Sequence, residues 1–388
     1  MTMSVDVPRT VDELTPEYLS GIAGKMLGDP TVRVTEFTVT PDPFVFPRFG
    51  DKQFFEIAFG YRGVGGEGSA TMILRVLPPM DAVMMLTGDT EHRELKAFET
   101  GLLAMVPPTF HVPYIDIVHR PDRDQYWVFV EDVRPDMARL GMTEALGDDT
   151  LRVILSHLAA FHAAFWERHD VLSQPWLMRL ERPVDYFYRC IVDILDGMKG
   201  ASEPSRYIVD KWPWLQEGVL RLMDSLPAER RRWVEALYRE PERLLEKVRP
   251  LPRTLCHYDF DNRNLGLREG ANGLQTVVID WEIVGEGLSS ADVGRFLAYQ
   301  QPPNAEELVG YYLDELERHL GRSIDREQWL YGSELVTVAI WQIIGVQFGA
   351  LVSTPTSPVP AEQREGLKAR VYSDIEHVES LVRKHRLA

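Results

Sequence analysis

The first third of the chain alternates apolar and polar positions in short runs. Five runs of strand length, rich in β-branched and aromatic residues and bounded by Gly, Pro or Asp, occupy residues 32–40, 53–61, 69–77, 114–119 and 125–131. Such runs are typical of β-strands. Between the third and fourth runs, residues 91–103 favour a helix. The order of three strands, one main helix and two strands predicts a five-stranded sheet.

From about residue 148 onwards the apolar positions follow the period of a helix. Residues 148–170 show it most clearly, because Leu151, Ile154, Leu155 and Leu158 share one helical face. Further helical stretches are predicted at residues 184–198, 204–224, 228–246, 304–320, 326–350 and 361–386. Two strand-like segments, near 254–267 and 276–283, interrupt them. The second part of the chain is therefore predicted to be helical with a small β island.

The excess of acidic residues argues against two classes of binding partner, nucleic acid and membrane. The chain has 42 Lys and Arg against 59 Asp and Glu, a formal net charge of −17. An acidic surface repels nucleic-acid backbones and anionic lipid and attracts cations. We therefore expect neither nucleic acid nor membrane as a partner. A run of ~18 apolar residues, as a membrane-spanning helix requires, is absent from the sequence.

Cysteine content points to a reducing compartment. Cys190 and Cys256 are the only cysteines, which excludes a disulfide framework and a CxxC zinc pattern. Cys256 is expected to be a small buried apolar residue. Because residues 1–15 also lack an apolar segment of signal-peptide length, a cytoplasmic protein is expected.

The densest group of chemically active residues lies in the segment LCHYDFDNRNL, residues 255–265. His257, Asp259 and Asn264 have the spacing HxDxxxxN, and an apolar run delivers Asp280 sixteen residues after Asn264. Phosphoryl transfer needs a carboxylate to orient and deprotonate the attacking hydroxyl, and oxygen ligands to hold Mg²⁺ against the phosphates. Asp259 suits the first task. Asn264 and Asp280 suit the second, because Mg²⁺ prefers hard oxygen ligands.

Taken in order, several motifs resemble the aminoglycoside phosphotransferase and choline-kinase-like family, especially its branch related to ecdysteroid-type kinases. They are the HxDxxxxN segment, IDWE at 279–282, GxGxxxxDVG at 285–294, VFVEDV at 128–133 and LAAFHAAFW at 158–166. The resemblance spans roughly residues 70–300. It implies an α+β, bilobal protein-kinase-like fold. The N-terminal lobe would be a five-stranded antiparallel sheet with one main helix, and the C-terminal lobe mostly helical.

The resemblance also implies roles in the C-terminal lobe, which we place at residues 133–388 together with the acceptor pocket. Asp259 would be the catalytic base, and His257 would fix its loop. Asn264 and Asp280 would bind Mg²⁺. Asp292 would hold the catalytic-loop backbone from the following helix.

Residues 1–132 would form the nucleotide-binding lobe, which uses ATP or GTP. Arg75 would bind phosphate with Glu94 as its ion-pair partner, and Glu131 and Val133 would offer the adenine a backbone carbonyl and amide. In a strand, Arg75 shares its face with Ile73 and Leu77. A cation on a covered face needs a partner, so we expect an Arg75–Glu94 ion pair directed toward Asp280.

Two features depart from the family pattern. Arg75 stands where the family usually has a lysine, and an arginine's planar fork bonds differently from an ammonium. The nucleotide loop should lie at residues 41–52, yet that stretch contains one glycine, Gly50. The glycine-rich segment at 63–68 lies between the second and third strands and is predicted to be an exposed turn.

These features predict an ATP-dependent phosphotransferase that acts on a hydroxyl of a small molecule, such as an antibiotic, an aminocyclitol, a nucleoside natural product or another alcohol. Eleven residues separate Asp280 from Asp292 and no APE triplet follows, which argues against a protein kinase. The alternative is a weak or inactive pseudokinase that binds a nucleotide or another ligand. Glu282 is either a solvated strand-end carboxylate or a third contact to metal or substrate.

The acceptor would be cationic, given the acidic charge, or bulky. Aromatic residues of the helical part suit a bulky, partly apolar acceptor, namely Tyr186, Phe187, Tyr188, Trp212, Trp214 and Trp341. A monomer or a homodimer is expected.

Overall fold

Five strands form one antiparallel sheet in the first third of the chain. The computed structural model describes residues 8–388 except 42–51, 121, 139, 141–144, 183, 272, 358 and 360. The elements of the N-terminal lobe are α1 Pro16–Leu27, β1 Arg33–Pro41, β2 Gln53–Gly63, β3 Gly66–Leu77, α2 Ala82–Thr87, α3 Arg93–Glu99, β4 Phe110–His111, β5 Tyr114–Arg120 and β6 Gln125–Glu131. The sheet order is β1-β2-β3-β6-β5. All five predicted strands are confirmed.

The glycine-rich segment closes the hairpin between β2 and β3. Gly63 pairs with Gly66, and the side chain of Val64 between them is 84 % exposed. Gly66 has φ of +116°, a conformation that glycine adopts without steric cost. The prediction of an exposed turn is confirmed, and the predicted nucleotide loop lies mostly outside the described residues.

The two faces of β3 are covered by different helices. Met72, Leu74 and Val76 pack in one cluster with residues of α1 such as Leu19. Leu77 on the opposite face packs against Leu95 of α3. The alternation expected from the sequence therefore holds, and Arg75 lies on the face toward α3.

Helices dominate the C-terminal lobe, as predicted. They are α4 Arg134–Ala138, α5 Asp148–Phe165, α6 His169–Leu172, α7 Arg189–Leu195, α8 Glu203–Lys211, α9 Pro213–Ser225, α10 Ala228–Arg239, α11 Glu242–Val248, α12 Ser290–Gln300, α13 Ala305–Leu320, α14 Arg326–Ile340, α15 Val346–Ser353 and α16 Ala361–His385. The β island consists of β7 Thr254–Cys256, β8 Leu265–Gly270, β9 Gly273–Val278 and β10 Gly285–Gly287. β7 pairs with β10, and β9 pairs with β8 and β4.

Prolines split two of the predicted helices. The stretch 204–224 becomes α8 and α9, with a break at Trp212 (φ −123°, ψ 70°) before Pro213. The stretch 228–246 becomes α10 and α11, with a break at Glu240 before Pro241. A residue that precedes proline is disfavoured in the α region, which explains both breaks. The short helices α2 and α4 were not predicted either.

One stretch in the described part of the chain, Arg326–Ser353, is long and apolar enough to cross a membrane, with a mean hydropathy of 1.9 in its most apolar window. The protein itself buries 65 % of that window. Among its residues Leu335 and Val346 are fully buried and belong to the core of the helical lobe. A core position explains the apolar composition of this stretch.

Candidate active site

The backbone of the loop between β7 and β8 is fixed by Asp292 at the start of α12. One carboxylate oxygen of Asp292 accepts the N–H of His257 and the other accepts the N–H of Tyr258, each at 2.7 Å. His162 of α5 contacts Asp292 through Nε2 at 3.2 Å. Tyr258 has φ of +64°, a costly conformation for a non-glycine residue that these bonds hold in place. Asp292 therefore anchors this loop, as predicted.

The GxG motif forms β10, which pairs with β7 beside this loop. A Cβ on Gly285 would collide with the carbonyl of Met178, and a Cβ on Gly287 would collide with the Tyr258 hydroxyl. Gly285 is needed because two backbone segments approach closely, and Gly287 is needed because the Tyr258 side chain lies against it. The Tyr258 hydroxyl in turn donates to the carbonyl of Glu286 at 2.7 Å.

Replacing Asp292 with alanine is expected to destabilise the fold by about 3 kcal/mol or more, since three buried polar groups would lose their partner. Chemical denaturation measures this loss. Asp314→Ala is the matched control, because Asp314 is 68 % exposed and pairs with Arg326 at the surface. Equal midpoints for both variants would contradict the anchoring role.

His257 joins the loop between β7 and β8 to the segment after β9 that carries Asp280. Its Nε2 lies 2.9 Å from the carbonyl of Ile279, and its Nδ1 accepts the N–H of Asp259 at 3.3 Å. The neutral tautomer with hydrogen on Nε2 satisfies both contacts. Burial lowers the pKa of His257, which favours this neutral form. His257 therefore links the segment that carries Asp259 to the segment that carries Asp280.

The carboxylate of Asp259 is held at both oxygens. Oδ1 accepts from Arg263 at 3.3 Å and from Arg295 of α12, and Oδ2 accepts from Nδ2 of Asn264 at 2.8 Å. Asp261, which is 1 % exposed, binds both guanidinium groups and aligns them. Sequence reasoning missed this role of Asp261 and the two arginines. Arg263 could have been considered, because it lies inside the quoted motif four residues after Asp259.

Asn264 and Asp280 lie on adjoining backbone segments, because the N–H of Ile279 donates to the carbonyl of Asn264 at 3.0 Å. The amide nitrogen of Asn264 donates to Asp259, so its side-chain oxygen is the atom left to face a ligand. Asp280 has φ of +65° and a side chain that is 38 % exposed. Desolvation by the surrounding protein and the nearby Glu282 carboxylate raise the pKa of Asp280 well above its usual value.

The expected ion pair between Arg75 and Glu94 is present. Nη1 of Arg75 lies 2.5 Å from Oε1 of Glu94, and Nη2 lies 3.9 Å from Oδ1 of Asp280. Both side chains of the pair are buried, and Tyr114 also donates to Glu94. Burial raises the pKa of Glu94 although Arg75 opposes the shift. Arg75 is thus turned toward Asp280, as the strand alternation predicted.

Lys52 is a second cation at this position that sequence reasoning did not find. Its Nζ contacts Oε1 of Glu282 and lies 3.4 Å from Oδ2 of Asp81. Burial alone would raise the pKa of Glu282, but Lys52 and Arg75 lower this pKa to about 2. Glu282 is therefore an ion-paired carboxylate, and the interpretation of a solvated strand end is wrong. Lys52 lies at the end of the stretch 41–52, in which the expected signal of a nucleotide loop was glycine and not lysine.

Glu131 and Val133 lie where β6 leads into α4. The carboxylate of Glu131 binds Arg268 at 2.7 Å. The carbonyl of Val133 accepts the N–H groups of Asp136 and Met137, both at 3.0 Å. The structure places both residues at the junction of the two lobes, and their contacts with adenine stay a prediction.

The aromatic residues expected to receive a bulky acceptor are mostly core residues. Five of the six belong to the core of the helical lobe and are less than a tenth exposed, namely Phe187, Tyr188, Trp212, Trp214 and Trp341. The rings of Trp212 and Trp214 stack with centroids 5.6 Å apart. For these five residues the interpretation was wrong, because their side chains serve packing.

Cys256 is fully buried, and its thiol donates to the carbonyl of Leu288 at 3.3 Å. Burial raises the pKa of this thiol well above its usual value. The expectation of a small buried residue is confirmed.

The sheet, the helical lobe and the loop between β7 and β8 define a kinase-like phosphotransferase. Residues 63–327 match the profile of the phosphotransferase enzyme family (APH), which is well over half of the chain. The chain belongs to this family and is a small-molecule kinase with a protein-kinase-like fold. The family resemblance drawn from the motifs is confirmed.

Solved structures similar to this chain share little sequence with it. A microcompartment-associated aminopropanol kinase has a TM-score of 0.49 and 14 % identity, covering 91 % of this chain and 94 % of that chain. A choline/ethanolamine kinase family protein from Mesorhizobium loti has a TM-score of 0.42 and 13 % identity, covering 85 % and 90 %. The gentamicin complex of APH(2")-IIa has a TM-score of 0.43 and 12 % identity, covering 94 % and 96 %. No curated protein matches the chain in sequence.

Proposed function

We propose that this kinase transfers the γ-phosphoryl group of ATP or GTP to a hydroxyl of a small molecule, with Asp259 as the base. The observation that carries the proposal is the arrangement of Asn264, which donates to Asp259 and directs its own side-chain oxygen away from that carboxylate. One residue thereby connects the base to the metal-binding side of the cleft. Asp280 lies on the adjoining segment, two residues after β9 ends.

Asp259 suits the task of a base because its carboxylate is oriented but accessible. Its side chain is 24 % exposed, while Arg263, Arg295 and Asn264 fix its direction. A carboxylate oxygen can accept two hydrogen bonds, and Oδ2 of Asp259 has Asn264 as its one described donor, so an acceptor hydroxyl has room to donate to Oδ2. Asp259 would take the proton as the hydroxyl oxygen bonds to phosphorus.

The charges of the cleft fit a divalent cation held by Asn264 and Asp280. Two described cations, Lys52 and Arg75, lie among four carboxylates, those of Asp81, Glu94, Asp280 and Glu282. Desolvation in the cleft raises the pKa of Asp280, and the Glu282 carboxylate adds to that shift. When bound, Mg²⁺ would neutralise the charge of the nucleotide phosphates.

In the N-terminal lobe, proposed at residues 1–132, Arg75 would bind the phosphates with Glu94 holding its guanidinium. The other end of the nucleotide would lie at the junction with residues 133–388. There the backbone carbonyl of Glu131 and the amide of Val133 are proposed to bind the base.

Arg75→Ala is expected to weaken nucleotide binding at least about tenfold, because a buried charged donor to phosphate is lost. Arg75→Lys should retain much of the affinity, since the charge remains. Titration with ATP and GTP measures both effects. Arg62→Ala on β2 is the control, because Arg62 is 69 % exposed and pairs with Glu67. Unchanged nucleotide affinity in Arg75→Ala would remove Arg75 from the phosphate site.

The test of the whole proposal is turnover of ATP and GTP with Mg²⁺ against a panel of alcohols that includes aminocyclitols, nucleosides, amino alcohols and steroid-like alcohols. The net charge of −17 favours cationic members of the panel. Release of ADP or GDP that depends on one acceptor would support the proposal. Tight nucleotide binding without transfer to any acceptor would favour the alternative, a pseudokinase.

A further inference from the structure

Lys52 and Arg75 converge on one oxygen atom in the cleft. Both contact Oε1 of Glu282, Lys52 through Nζ and Arg75 through Nη2 at 3.1 Å. Their side chains are 13 % and 10 % exposed, and that of Glu282 is 18 % exposed. Lys52 directly precedes β2 and Arg75 belongs to β3, which pairs with β2. Two neighbouring segments of the sheet thus direct two cations to the same point.

These cations have hydrogen-bonding capacity beyond the contact with Glu282. Nε of Arg75 is buried and finds no hydrogen-bond partner among the described residues. The ammonium of Lys52 can donate three hydrogen bonds, and the carboxylate of Asp81 lies 3.4 Å away. A phosphate group carries several acceptor oxygens, and an ammonium and a guanidinium bind it in complementary ways.

We propose that Lys52 and Arg75 together bind the phosphate groups of the nucleotide, and that Glu282 competes with these phosphates for the two cations. Lys52 thereby supplies the ammonium that β3 lacks. This inference rests on the proposed function, because it assumes that a nucleotide binds in the cleft. It assigns to Lys52 a contact with the nucleotide and to Glu282 the position of an internal competitor.

The competing explanation is that Lys52 serves only to connect the sheet to the C-terminal lobe through its ion pair with Glu282. Loss of such a structural ion pair would lower stability and would change adenosine and ATP binding alike. A phosphate contact affects only ligands that carry phosphates. The series adenosine, AMP, ADP and ATP therefore separates the two explanations, with the guanosine series measured in parallel.

Calorimetric titration of Lys52→Met is expected to show ATP affinity reduced by about tenfold to a hundredfold, the loss typical of one charged hydrogen bond. Adenosine affinity should stay unchanged. Lys52→Arg should recover most of the ATP affinity, because it retains the charge. Lys25→Met is the matched control, since Lys25 lies in the same lobe, is 56 % exposed and pairs with Asp116.

Glu282→Gln provides a test with the opposite sign. In the presence of EDTA, this variant is expected to bind ATP severalfold more tightly than the native protein. Glutamine removes both the competition for the two cations and the repulsion between Glu282 and the phosphates. Weaker binding of metal-free ATP by Glu282→Gln would overturn the competitor role. If Lys52→Met does not fold, Lys52→Arg and Glu282→Gln decide the question.

The outcomes separate this inference from the proposed function. ATP binding by the native protein together with undiminished ATP affinity in Lys52→Met would overturn the role of Lys52 and leave the proposed function standing. Equal losses for adenosine and ATP would assign Lys52 to a structural ion pair. A native protein that binds no nucleotide at all would overturn the proposed function, and this inference would fall with it.

Discussion

Replacing Asp259 with asparagine is expected to reduce turnover at least about a hundredfold, the loss typical of a positioned base. Asparagine has the shape of aspartate but cannot take the proton of a hydroxyl at neutral pH. Nucleotide affinity and folding should stay nearly unchanged. One reason is that Asp261 continues to bind Arg263 and Arg295 when the charge of Asp259 is lost.

Turnover and nucleotide affinity must be measured separately for Asp259→Asn, because a base and a binding residue differ in which quantity they change. Asp170→Asn is the control, since Asp170 is 64 % exposed and pairs with Arg168 outside the site. Native turnover in Asp259→Asn would remove Asp259 from the mechanism. A parallel loss of nucleotide affinity would assign it a role in binding.

The sequence predicted those features of the fold and of the site that depend on residues close together in the chain. Strand alternation placed Arg75 on the covered face of β3, and the cost of an unpaired buried charge then required a partner such as Glu94. The structure contains that pair. The anchoring of the loop by Asp292 was predictable from the ordered motifs of the family.

The contacts that the sequence did not reveal join segments far apart in the chain. Lys52 and Glu282 are 230 positions apart, and their contact depends on how the sheet sits over the β island. The approach of Arg295 to Asp259 depends likewise on the packing of α12. Aromatic composition failed as a guide to the acceptor because a tryptophan such as Trp212 is suited equally to a core and to a cleft.

Asp280→Ala is expected to abolish the dependence of nucleotide binding on Mg²⁺. Alanine removes a carboxylate ligand that the neighbouring cations Arg75 and Lys52 cannot replace. Titration of ADP and ATP with and without Mg²⁺ measures the effect. Undiminished metal-dependent affinity would refute the assignment of Asp280 as a ligand.

Asp280→Asn should make the same protein more stable in the absence of ligands. A carboxyl group whose pKa is raised by folding binds its proton more tightly in the folded state, so stability is lost as pH rises from the unfolded value of 3.8 through the folded pKa. Above pH 3.8 the cost of ionising Asp280 in the folded state therefore destabilises the free protein. Asparagine removes this charge, and we expect Tm to rise by roughly 1–3 °C.

The control for this stabilisation is Asp124→Asn, because Asp124 also has a positive φ, of +50°, but lies in an exposed turn. Asparagine tolerates this backbone conformation well, so the control measures the backbone contribution alone. Mg²⁺ with ADP should raise the Tm of the native protein and of Asp124→Asn, since a ligand stabilises the state that binds it. In Asp280→Asn, Mg²⁺ with ADP should raise the Tm no further than ADP alone does. The substitution would then have two opposite effects: higher stability without ligand, and less stabilisation by the metal nucleotide. Together they would identify Asp280 as a carboxylate that destabilises the free protein and binds the cation.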